Sequence, residues 1–124
     1  LHLANRSVDA LSGGERARAK MARVIAGAPD WIMADEPLAN LDPPHQRDVL
    51  RLFRTLAKDG KGVVTVLHQI DAAATADDLI ILKNGRVIAA GPVAETLTPV
   101  HLESAFDMAF TALDHDGRRI VIPA

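Results

Sequence analysis

Asp35 and Glu36 stand side by side at the end of an apolar run, Trp31-Ile32-Met33-Ala34, and Pro37 stops the run behind them. Neighbouring residues of an extended chain point in different directions. Two carboxylates placed this way suit a division of labour, one holding a metal ion and the other handling a proton. The apolar run reads as a short buried strand. Its carboxyl end, where the acids fall, is where open α/β sheets place their ligands. A plainer reading is a buried strand ending in solvated acids, so the rest of the chain has to decide.

A second group with chemical potential is Leu11-Ser12-Gly13-Gly14-Glu15. Ser12 and Glu15 have capping-box spacing, so a helix is expected to begin here. The glycines let another group approach the first backbone N–H groups closely. Those N–H groups and the helix dipole form a ready anion site. Asp42 followed by Pro43 is a helix start of the cap-then-proline kind. His68 falls just past the apolar run Val63-Val64-Thr65-Val66-Leu67, a β-branched stretch expected to be a buried parallel strand. The other histidines, at positions 2, 45, 101 and 115, show no metal-ligand spacing and read as surface residues.

Several elements must position these groups. The first helix runs to about Ala26, with Ala17, Met21, Val24 and Ile25 as its apolar stripe. Arg16, Arg18, Lys20 and Arg23 lie largely off that stripe and read as a solvated face. Gly27 and Pro29 end it. A second helix follows Pro43 and closes at Gly60, with Val49, Leu50, Leu52, Phe53, Leu56 and Ala57 on its apolar side. Residues 70–76 read as helix and 79–82 as a strand. Asn84-Gly85 is a hairpin turn returning through 86–90, which Gly91-Pro92 breaks. Two short helices follow, the second from Thr98-Pro99. A turn at 114–117 precedes a last apolar piece, 120–122. Helix and strand alternate, which argues for an α/β domain with a mostly parallel sheet, flanking helices and a β-hairpin.

Composition narrows the classes. The 124 residues suit one domain or part of one; they are 48% hydrophobic and 3% aromatic, so the core must be aliphatic. The net charge of -2 makes no electrostatic case for nucleic acid. Without cysteine there is no disulfide framework and no thiolate metal site. No apolar run approaches the roughly 18 residues of a membrane span, so a membrane link is expected to go through a partner. The chain opens at Leu1, mid-pattern and without methionine, which reads as a cut end.

Taken together, these motifs resemble the ATP-binding-cassette (ABC) ATPases. Leu11 to Glu15 looks like their signature motif, and Trp31 to Glu36 like the Walker B strand with its catalytic glutamate. Leu41-Asp42 matches the end of the D-loop, and His68 the switch histidine. The resemblance runs from about residue 5 to the C-terminus. It implies that Asp35 holds Mg²⁺ through water, Glu36 polarises the attacking water and His68 hydrogen-bonds the γ-phosphate. Ser12, Gly13 and Gly14 would bind the γ-phosphate of ATP held by an opposite subunit, two cassettes sandwiching two nucleotides head to tail. Asp42 would communicate across that interface, a role compatible with capping a helix.

Departures from the family pattern are equally informative. No G-x-x-x-x-G-K-[ST] phosphate loop occurs in the sequence, and Gly60-Lys61-Gly62 is a turn and no remnant of one. The glutamine loop is missing too; the family carries both before the signature. Glu15 stands where many members have glutamine, and Gln69 where many have aspartate. The chain therefore looks like the C-terminal half of a P-loop NTPase domain without its phosphate-loop strand. Residues 1–28 would end the helical signature subdomain, and 29–124 would form the C-terminal part of the ATPase core with an extension. Alone, such a chain is expected to be inactive.

Leu41-Asp42-Pro43-Pro44-His45-Gln46 and Lys83 to Gly91 resemble importer ATPases, the His-Gln pair pointing to the iron-siderophore, haem and cobalamin branch. Membrane permease subunits and a cytoplasmic position on the inner membrane face are then implied. The competing classes are a DNA-repair or chromosome-maintenance ABC ATPase and a non-catalytic dimerisation module. In the family's sheet the missing strand lies between those at 63–67 and 79–82. The gap is expected to be filled by strand exchange between copies in preference to a shift of the 79–90 hairpin, the alternative being that a separately encoded or lost N-terminal half normally fills it.

Overall fold

The computed structural model describes Ser7, Asp9 and residues 11–124. It divides into two compact units, residues 1–67 and 68–124.

In the first unit, α1 spans Gly13–Ala26, β1 Trp31–Asp35, α2 Pro43–Lys58 and β2 Gly62–Val66. Helix α1 starts where its capping box requires. The Glu15 N–H donates to Ser12 Oγ at 3.2 Å, and the Ser12 N–H to the Glu15 carboxylate at 2.9 Å. Asp42 caps α2, accepting from the His45 N–H at 3.3 Å. Strands β1 and β2 pair in parallel, from Trp31 opposite Gly62 to Asp35 opposite Val66. The Trp31 indole lies over Gly62, where a Cβ would overlap the ring.

Ile32, Leu38, Val49 and Phe53 are the buried apolar residues among those described in this unit. Val49 and Phe53 lie one turn apart on α2, which packs against β2. The expectation of strands buried on both faces does not hold. Ile32 is 3% exposed, but Trp31 is 68% and Met33 82% exposed, with Val64 and Val66 also open. An apolar run cannot distinguish cover on one face from cover on two; here the period of two sends alternate side chains to an open face. Phe53→Ala is expected to lower the unfolding free energy by about 3–5 kcal/mol, read by chemical denaturation. An unchanged midpoint would show that α2 is not anchored through this ring.

The second unit holds α3 (Ile70–Ala73), β3 (Asp78–Lys83), β4 (Arg86–Pro92), α4 (Val93–Thr96), α5 (Pro99–Phe106), β5 (Phe110–His115) and β6 (Arg118–Pro123). Asn84 and Gly85 both take positive φ, 49° and 73°, as the two-residue hairpin turn demands. Strand β4 runs through Gly91-Pro92, where a break was expected; Pro92 pairs with Asp78 at the strand's end, a position that tolerates the missing N–H. Helix α3 is one turn long, shorter than expected, and its cap residue Gln69 makes no side-chain cap bond. The last apolar piece is half of a second hairpin, with Phe110–His115 as its other strand. Ile81, Leu102, Phe110 and Val121 form the core of this unit, with Leu79, Ile88 and Leu97 around them.

The described residues thus contain three two-stranded sheets, one parallel and two antiparallel. Among the described residues β1 pairs with β2 and β3 pairs with β4.

Candidate functional site

Strand β1 delivers Asp35 as its last residue, exposed and in register with Val66. Glu36 leaves the strand with φ at 46°, in the left-handed region. For a residue with a Cβ this conformation costs roughly 1–2 kcal/mol. It is held because the Glu36 N–H donates to the Val66 carbonyl at 3.0 Å, while the Glu36 carbonyl accepts from Ala39 at 3.1 Å. Both carboxylates are exposed.

The following turn is pinned from below and from the side. Leu38 is 1% exposed. Gln46 Nε2 donates to the Leu41 carbonyl at 2.9 Å. Asn40 takes the left-handed φ of 60° that asparagine tolerates. Asp42 then caps α2, and its carboxylate also accepts a hydrogen bond from His45 Nδ1. That bond holds the Asp42 carboxyl below the ordinary carboxylate range, against some desolvation.

The N-terminus of α1 lies against this turn. A Cβ built on Gly13 would stand 3.9 Å from the Asn40 carbonyl, and one on Gly14 would stand 3.3 Å from His45 Nδ1. The structure therefore brings Ser12, Gly13 and Gly14 to the segment that carries Asp42. Ser12 Oγ accepts the cap bond from Glu15 and keeps its hydroxyl hydrogen for donation. An open cavity of about 460 Å³ runs from Gly13, Arg16 and Lys20 on α1 to Asp35 and Asn40.

Arg16 is not part of a solvated face. It is half-buried, its Nε atom is buried without a hydrogen-bond partner, and it lines the Asp35 cavity. Its long apolar stem lets it lie along the inner side of the helix. His68 opens the second unit, two residues beyond β2, and is exposed.

Two other histidines depart from the surface reading. His45 is half-buried and bonded to Asp42. His101 is half-buried and donates from Nδ1 to the Thr96 carbonyl at 2.8 Å. His115 is exposed beside Asp116 at 3.7 Å, as expected, and His2 lies outside the described residues.

The donor set fits Mg²⁺. That ion uses one or two carboxylates and completes its shell with water and phosphate oxygens, and the exposed Asp35 carboxylate offers that kind of ligand.

Known proteins match this chain over nearly its whole length. The hemin import ATP-binding protein HmuV of Rhodococcus jostii is 44% identical over 123 residues, covering 97% of this chain and 42% of that protein. Its counterpart in Nocardia farcinica is 45% identical over 125 residues, covering 98% of this chain and 43% of that protein. A metal-chelate-type ABC transporter solved in an inward-facing conformation superposes with a TM-score of 0.88 at 29% identity, over 99% of this chain and 52% of that one.

The chain has the fold of the C-terminal part of an ABC ATPase domain.

It spans about half the length of the curated relatives it matches, the C-terminal half. A dimeric bacterial ABC transporter cassette matches with a TM-score of 0.68 at 34% identity, over 74% of this chain and 40% of that one. No protein-family model matches. The chain has its paired acids at the end of a parallel strand and its Ser-Gly-Gly turn at the start of the helix that lines the same cavity. Arg16 and the His45–Gly14 contact are features that sequence reasoning missed. One signal was available: His45 is the third helical residue after the Asp42 cap, the position from which a side chain reaches back in a capping box.

Proposed function

We propose that this chain supplies the hydrolytic acids and the trans-acting signature turn of an ATP-driven import subunit, whose cargo is haem or a related iron chelate. The observation that carries this reading is the placement of Asp35 and Glu36 at the carboxyl end of β1, with the Ser12–Gly14 turn in the same unit. The cargo class rests on the relatives' names and on the metal-chelate transporter.

In this reading Asp35 holds Mg²⁺, which would neutralise charge developing on the phosphates of ATP. Glu36 orients a water molecule and accepts its proton. Its strained backbone fixes where the carboxylate stands, and positioning is most of what phosphoryl transfer asks of a protein. The Gly13 and Gly14 N–H groups at the start of α1, with the Ser12 hydroxyl, donate to the γ-phosphate of ATP carried by a second subunit. His68 donates to the γ-phosphate from the end of β2, and Asp42 faces the subunit interface. Residues 1–28 then end the helical subdomain, and residues 29–124 belong to the core. Among the described residues no helix is long and apolar enough to cross a membrane. Peripheral attachment to the inner membrane face through permease subunits fits this reading.

The test is uptake. A complete cassette containing this chain, reconstituted with its permease in vesicles, should import haem only with Mg-ATP. ATP-independent uptake, or turnover indifferent to the permease, would sink the reading. Uptake of an iron-siderophore complex in place of haem would keep the class and change the cargo.

A further inference from the structure

One imidazole connects two motifs, residues 12–14 and residue 42, that lie far apart in the chain. His45 Nδ1 donates to Asp42 Oδ1, and the His45 backbone N–H donates to the same oxygen at 3.3 Å. The ring is therefore locked to the cap of α2. The same edge of the ring also stands beside Gly14. A Cβ there would stand 3.3 Å from Nδ1, tighter than most Cβ contacts, and 3.4 Å from Cγ and Cε1. A side chain at position 14 would therefore require the His45 ring to give by a few tenths of an ångström. Arg18 and Asp48 are the other charged groups on the wall of the groove that His45 lines between α1 and α2. Helix α1 has no buried residue to hold it in place by itself, so this contact carries weight in setting where its N-terminus stands.

We infer that His45 is a positioning residue, wedged between Asp42 and Gly14, that sets the distance of the signature turn from the D-loop. The functional consequence rests on the reading that the turn receives a phosphate group. An anion held by the Gly13 and Gly14 N–H groups would then sit where the Asp42–His45 pair puts it.

The first arm of the test needs no nucleotide. In NMR spectra of this chain, the Gly14 Hα resonance should carry a ring-current shift from His45, and Asp42 should titrate below the ordinary carboxylate range. His45→Ala should remove both effects while the Phe53 and Ile32 signals stay in place. An unmoved Gly14 Hα, or an unmoved Asp42 midpoint, overturns the inference. The second arm uses the complete cassette. His45→Ala should lower kcat by about 10- to 100-fold, the scale of a misplaced binding group, with the KM for ATP unchanged. His45→Gln, which can still reach Asp42, should restore most of it. Wild-type turnover matched by His45→Ala overturns the inference and leaves the ATPase reading standing. A wild-type cassette without turnover overturns the ATPase reading, and the spectroscopic arm alone then judges the wedge.

Discussion

Glu36→Gln in the complete cassette is expected to reduce ATP turnover by about 10²- to 10⁴-fold, the usual contribution of a positioned general base. Glutamine keeps the length and planarity of the side chain but cannot accept a proton at neutral pH. The backbone bond from the Glu36 N–H to the Val66 carbonyl does not involve the side chain, so the left-handed turn at this residue should survive. Asp35, one residue earlier at the end of β1, should still bind Mg²⁺. Nucleotide binding is therefore expected to persist while hydrolysis is lost, which traps the cassette with ATP bound. Equilibrium titration with a fluorescent nucleotide and steady-state phosphate release separate the two effects. A variant that retains most of its turnover would show that another group takes the proton from water. His68 is the first alternative to try.

The parts of this chain that were legible in its sequence are those where a local rule acts alone. Ser12 with Glu15, Asp42 with Pro43, and Asn84 with Gly85 each satisfy nearby backbone groups or φ requirements, and each element begins or turns where those residues say. What was not legible depends on distant partners. Met33 looks like a core residue in an apolar run, yet it is 82% exposed, because cover on each face of a strand is a tertiary property. Strand β5 escaped notice because Asp114 and His115 resemble a turn, and its pairing with β6 becomes evident only from the register. Pro92 looks like a breaker because proline lacks a donor, although a strand end does not need one. The site shows the same division. Its acids and glycines follow from type and spacing. Arg16 and His45 needed the packing of α1 against the 40–45 turn, which no pattern within either segment reports.

The isolated 124-residue chain is expected to show no Mg-dependent ATP hydrolysis, although it carries Asp35 and Glu36. Phosphoryl transfer is governed by positioning and by charge neutralisation around the phosphates. This sequence contains no G-x-x-x-x-G-K-[ST] loop to cradle the β- and γ-phosphates and supply the lysine. Removing even one preorganised donor from such a site costs about 10²- to 10³-fold in rate, and here a whole cradle is lacking. The signature turn cannot substitute for it. Its capping box already commits the Glu15 N–H to Ser12 Oγ, leaving chiefly Gly13, Gly14 and a hydroxyl hydrogen to donate. Weak nucleotide binding at that turn is compatible with the expectation, since an anion at a helix N-terminus needs no lysine. The decisive measurement compares phosphate release by the purified chain and by its Glu36→Gln variant. Turnover that depends on both Mg²⁺ and Glu36 would mean that these 124 residues assemble a working phosphate site unaided. Arg16 and Lys20, the cations on the wall of the Asp35 cavity, would then be the groups to replace next.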